Sequence, residues 1–332
     1  MLLDMKIPET MNDTQRRIKK RDTAIDFVKF MALFLVLNSH MVKCYPKYQF
    51  LATGGAIGDA LFFFASGFTL FLGSGGGRFD EWYKRRIKRI YPSLIAVAII
   101  GVFIFGRNDS FWDVIIAKRY WFVQCIFVLY PLLYLAKKYV TRHFMLLCVL
   151  TIIIMSAFPL LFNGESMFWG SGYYRWAVFL LFMLLGAIIG KERERVNQLN
   201  VWLVLSLLIV CVVGWYGTVY LLGKSSLQVL SILPMMGVVF FSYCLGRSRP
   251  FERLLNSRFG VAIISIGALC LESYLIQKMI ITSDWNNLFP LNIPIIMSLV
   301  LIASYMAKVL ANLIGQIFDS QPLSWKSILH VY

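Results

Sequence analysis

The sequence predicts an all-α integral membrane protein of about ten transmembrane helices, and three observations carry that prediction. Of 332 residues, 59% are hydrophobic and 15% charged, against roughly 45–50% apolar and about 25% charged residues in soluble domains. Uncharged runs approach the length of about 20 residues that spans a hydrocarbon core at Phe144–Phe162, Val201–Leu222 and Gln228–Gly246. The runs do not alternate between apolar and polar positions, so they read as helices rather than strands of a closed barrel, the only other backbone that lipid accepts.

Seven further apolar segments complete the set: Ile25–Val42, Ala56–Gly73, Tyr91–Gly106, Tyr120–Ala136, Tyr174–Gly190, Phe259–Ile281 and Leu291–Ile314. The first follows a tail carrying Arg16, Arg17, Lys19 and Lys20 but no apolar stretch with a small-residue cleavage site, so it serves as the insertion signal. The second runs into the glycine patch Gly73–Gly77, which lacks the Gly-Lys-Ser/Thr ending of a phosphate-binding loop and reads as a hinge. Ahead of the third stands the basic stretch from Trp82 to Pro92, whose proline fits the first turn of a helix.

With ten spans both termini share a side, and the basic residues say which. Alternate loops and the two tails carry 23 of the 33 Lys and Arg residues, the opposite loops six, and the spans four. The richer side is cytoplasmic under the positive-inside rule. The formal charge of +16 is therefore mostly topology; a nucleic-acid partner is excluded, because the cations are scattered over short loops rather than gathered on one domain. No loop is long enough for a soluble domain. Residues 1–20 are a basic cytoplasmic tail, 21–317 the membrane domain and 318–332 a second cytoplasmic tail. The six cysteines, mostly inside predicted helices and without a CxxC, read as reduced and structural. No small-xxx-small face stands out, which leaves oligomeric state open.

Ionisable side chains inside a membrane are costly and mark functional candidates. Asp26, Lys29 and His40 occupy the first helix, and the eleven-residue step from Lys29 to His40 puts both on one face about 16 Å apart. His40 is the one histidine within a predicted span, and an imidazole of ordinary pKa can take a proton from a hydroxyl at neutral pH. A hydrogen bond to a neighbouring helix is its competing role. Arg86 and Arg89, three residues apart, share a helix face and suit a phosphate-bearing ligand, although topology alone also places cations there. The stretch Asn163–Trp176, with Tyr174 and Arg175, mixes aromatic faces and charges that suit a sugar or an interfacial belt. Glu272 needs a cationic partner such as Lys308, Arg175 or Lys29. His143 and His330 read as solvated surface residues. Metal binding has no support in HExxH or paired His and Cys spacing, and no GxSxG marks a hydrolase nucleophile.

Three stretches in order, Asp26-Phe-Val-Lys29 through Asn38-Ser-His40, Leu61-Phe-Phe-Phe-Ala-Ser66-Gly67-Phe68, and Arg86-Ile-Lys-Arg89-Ile-Tyr-Pro92, resemble the acyltransferase-3 family of membrane acyltransferases. The resemblance continues through Tyr120-Trp121-Phe122 and Glu272-Ser-Tyr-Leu-Ile276. It implies transfer of an acyl group, usually acetyl from acetyl-CoA, to a hydroxyl of a glycan or lipid-linked sugar at the bacterial cytoplasmic membrane. In that reading Arg86 and Arg89 face the coenzyme A phosphates, His40 is the general base, Lys29 supports charge on the same face, and Trp121, Tyr174, Arg175 and Glu272 contact substrate. Two positions depart from the family: Lys29 replaces an Arg, keeping charge without bidentate geometry, and Gln277 stands where the family often has His. Those departures keep an inactive assembly protein in view. A transporter or flippase of sugars or lipid-linked sugars is the rival from another class.

Overall fold

The computed structural model describes residues 22–70, 78–139, 174–222, 226–319 and 323–331, with positions 146, 149, 150 and 153. The expected span Phe144–Phe162, the glycine patch at 73–77 and His143 therefore lie largely or wholly outside the described residues. Within them the chain is helical, joined by short turns and single 3-10 turns, and has no strand.

In chain order the helices are α1 (Thr23–His40), α2 (Gly55–Leu70), α3 (Phe79–Phe105), α4 (Phe111–Ile115), α5 (Trp121–Tyr139), α6 (Tyr174–Lys191) and α7 (Val201–Leu222). Then follow α8 (Ile232–Arg247), α9 (Arg249–Leu255), α10 (Arg258–Ala268), α11 (Cys270–Ile280), α12 (Asn292–Phe318) and α13 (Trp325–Leu329). Among the described residues six helices are long and apolar enough to cross a membrane, and seven if the bent pair α10–α11 counts as one span. This is a multi-pass membrane protein.

α1 starts where the Asp22 carboxylate accepts the Ala24 N–H at 3.1 Å, an N-cap that satisfies one of the orphan donors of the first turn. The Tyr243 hydroxyl donates to the other Asp22 oxygen at 2.9 Å, which ties the entry of α1 to α8. α1 packs against α2, α8, α10 and α11, and Val28, Ala32, Leu33 and Leu37 are all but inaccessible. It is the central post of the bundle, so a charged side chain on it must face a cavity or a partner.

α2 lies unusually close to α6. A Cβ on Gly67 would stand 1.9 Å from the Met183 carbonyl oxygen, and one on Gly186 would stand 2.0 Å from that of Phe64. Gly186 and Gly190 are thus a small-xxx-small face after all, used within the chain against α2. The glycines admit the ring stack of Phe63 on Phe179, with centroids 4.7 Å apart. Gly67→Ala is expected to lower stability by about 1–3 kcal/mol, the usual cost of overpacking. A lower unfolding temperature of the detergent-solubilised protein checks this, and an unchanged one contradicts the close approach.

Two expectations about helix limits are corrected. The third span begins at Phe79, with Asp80 and Glu81 in its first turn, so the basic stretch is helical and Pro92 sits in mid-helix rather than at an N-terminus. Acidic residues at the N-terminal end favour starting there, and a proline inside a membrane helix is tolerated where neighbours satisfy the freed carbonyl. The segment Phe259–Ile281 is two helices, α10 and α11, meeting at Leu269 with a bend of 66°. Apolar periodicity runs through the break, which is why composition alone reads one span.

Candidate functional site

Where α1, α2, α3, α5 and the α10–α11 break meet, they leave a cavity of about 510 Å³. Its walls include Lys29, Arg86, Arg89 and Glu272, four residues singled out in the sequence from three distant stretches. Lys308 of α12 and Arg193 of the α6–α7 loop join them. The carboxylates of Asp22 and Asp26 and hydroxyls from Ser66, Thr69 and Tyr130 add to the polar part, and Phe62, Phe122 and Tyr274 form an aromatic part.

The cations are not equivalent. Lys29 Nζ lies 3.3 Å from Asp26 Oδ1, a pair one turn apart on α1 with the carboxylate buried. Lys308 Nζ lies 3.2 Å from Glu272 Oε1, which also accepts the Ser93 hydroxyl at 2.7 Å. Glu272 is 1% exposed, so of the three partners the sequence allows, geometry selects Lys308. Its second oxygen, Oε2, is buried without a hydrogen-bond partner. Arg86 leans on Trp82, its guanidinium carbon 5.4 Å from the ring centroid, and its Nε is buried without a partner. Among the described residues no carboxylate forms an ion pair with Arg86 or Arg89, while Lys29 and Lys308 are locally neutralised.

His40, the last residue of α1, is not on the cavity wall. Its Nδ1 is buried without a hydrogen-bond partner, and Gln277 and Lys278 are the polar side chains nearest the ring. Gln277, at the position where the family often has His, therefore stands beside His40 and donates instead to the Tyr274 carbonyl at 3.3 Å. α11 connects the two places: Cys270, Leu271, Glu272 and Tyr274 border the cavity, and Gln277 meets His40 about one turn further along.

Trp121 and Arg175 meet in a third place. The Arg175 guanidinium carbon stands 3.6 Å from the Trp121 ring centroid, a close cation–π contact. Asp59, in the second turn of α2, is the carboxylate nearest Arg175, and Tyr274 and Cys125 lie close by. Tyr174 opens α6, but its side chain lies outside the described residues. The sequence reading overlooked Asp59, although the rule that flagged Glu272, a carboxylate within an apolar span, applies equally to it. Arg193 was counted only as a topology residue, and nothing in its local sequence separates it from its neighbours.

An acyltransferase domain profile matches residues 22–311. The chain belongs to the acyltransferase-3 family. No curated protein and no solved structure matches it. The family match covers every cavity residue from Asp22 to Lys308, together with His40, Gln277 and the Trp121–Arg175 contact. This acyltransferase-3 chain is accordingly a membrane acyltransferase.

Proposed function

We propose that the protein transfers an acyl group, acetyl in the simplest case, from acyl-CoA to a hydroxyl of a glycan or lipid-linked sugar. It does so as a ten-span protein of the bacterial cytoplasmic membrane with both termini in the cytoplasm. The single observation that carries the reading is the course of α11, which borders the basic cavity at Cys270 and meets His40 at Gln277. Seven residues of helix separate these positions, about 10 Å along the axis. A ligand whose phosphates rest on Arg86 and Arg89 has a flexible arm free to carry a thioester along that line.

In this reading His40 takes the proton of the acceptor hydroxyl as its oxygen attacks the thioester carbonyl. The ester bond forms, the carbon–sulfur bond breaks, and the departing thiolate receives the proton held on His40. Gln277 orients the ring without itself titrating, which fits a glutamine at this position. Lys29, expected from the sequence to support charge on the same face as His40, is paired with Asp26 on the cavity side, about 16 Å down the same helix. It therefore serves the donor end. Trp121, Arg175 and Tyr174 are assigned to the acceptor, and Glu272 to the cavity through its free oxygen.

The test is transfer of label from labelled acetyl-CoA to the glycan or lipid-linked fraction of membranes containing the protein, against membranes without it. Label in a covalent, alkali-labile product supports transfer of an ester. Movement of sugar across the membrane with no covalent label replaces this reading with transport, for which the single bent pair α10–α11 is the only structural pointer among the described residues.

A further inference from the structure

One residue of the cavity wall, Val331, belongs to a segment that lies beyond the family match. After α12 ends at Phe318, residues 323–331 run back along it. The Ser324 N–H donates to Gln316 Oε1 at 3.0 Å, and Gln316 Nε2 donates to the Ser324 carbonyl at 3.4 Å. Asn312 Nδ2 donates to the carbonyls of Ile328 and His330, at 3.0 and 2.9 Å. Ile328 is 1% exposed, and Val331 is part of the cavity wall.

Lys308, Asn312 and Gln316 recur every four residues, so one stripe of α12 faces this way. Its first member borders the cavity and the next two grip the returning chain. That grip is polar and local. α13 has only five residues, too few to be a stable helix alone, and Leu323, Trp325 and Leu329 on either side of Ile328 are exposed. A segment with so little buried apolar surface opens readily compared with the bundle it lies on.

We propose that residues 324–331 form the closing wall of the acyl-CoA site and set donor affinity through Val331. The donor half of this statement rests on the functional reading above; the closing wall does not. The segment adds to the family's machinery a contact that residues 22–311 do not contain.

Two variants and two readouts test it in the full-length protein. Asn312→Ala/Gln316→Ala removes the grip, and Val331→Trp fills the cavity end. Without any ligand, the rate at which a maleimide labels Cys270 on the cavity wall is followed by mass spectrometry of its peptide. Loss of the grip is expected to speed labelling by about tenfold, as for a marginally held segment set free, and Val331→Trp is expected to slow it. With donor, Val331→Trp is expected to raise KM for acetyl-CoA while kcat holds. Labelling that both variants leave unchanged overturns the closing wall. Altered labelling with an unchanged KM keeps the wall and removes the donor from this cavity, which is the failure of the functional reading instead. A lower unfolding temperature with neither labelling nor KM altered reduces the segment to a structural tie and also overturns the proposal.

Discussion

His40→Ala is expected to lower kcat for acyl transfer by about 10²–10⁴-fold, the usual contribution of a positioned general base, while KM for acyl-CoA changes little. The separation of His40 from the cavity requires that split. The histidine is absent from the wall that holds Lys29, Arg86 and Arg89, so deleting it leaves the phosphate contacts in place. It is also near the end of α1, outside the tightly packed middle of the helix, so the shortened side chain leaves the bundle intact. Initial rates at saturating donor, on protein matched for membrane abundance, measure the effect. Full activity in this variant would remove His40 from the chemistry and leave it as a packing neighbour of Gln277. His40→Gln serves as the companion: it keeps a hydrogen-bonding side chain at the position but cannot relay a proton at neutral pH, so it is expected to be as inactive as the alanine variant.

Arg86→Ala/Arg89→Ala acts on the other parameter. A hydrogen bond to a charged group contributes about 1.5–3 kcal/mol, so two guanidiniums engaged with phosphate account for roughly 10²–10⁴-fold in donor affinity at about 1.4 kcal/mol per tenfold. The expected outcome is a KM for acetyl-CoA raised towards that range, with transfer restored at high donor concentration. The structure supports the choice of these two over the other cations, because Lys29 and Lys308 are each paired with a carboxylate. Replacing both arginines with lysine keeps charge but loses the planar fork, and is expected to recover only part of the affinity. A double variant with unchanged KM and reduced insertion assigns the arginines to topology alone, the alternative that their place before a membrane helix always offers.

Much of the site was visible in the sequence because membranes penalise charge so heavily. Lys29, Arg86, Arg89 and Glu272 each stand out against apolar or topological surroundings, and the structure brings all four to one cavity. What could not be read was their division of labour. Asp26–Lys29 is a neighbour pair at three residues on one helix, within reach of sequence spacing. Glu272–Lys308 joins residues on different helices, where three cations were equally eligible. The contact of Arg175 with Trp121 and the place of Gln277 beside His40 are likewise products of packing rather than of spacing.

Read residue by residue, the chain is already a helical membrane protein of a recognisable family, with side chains too costly to stand in a membrane without purpose. That much is legible because insertion depends on the run of apolar residues and the loop charges, both local properties. Packing alone reveals that Phe259–Ile281 breaks at Leu269, that α2 and α6 close on Gly67 and Gly186, and that residues beyond the family match return to the cavity. Those features depend on which helices touch. In lipid, contact is selected by close packing and polar pairing between faces rather than by hydrophobicity, which every span shares.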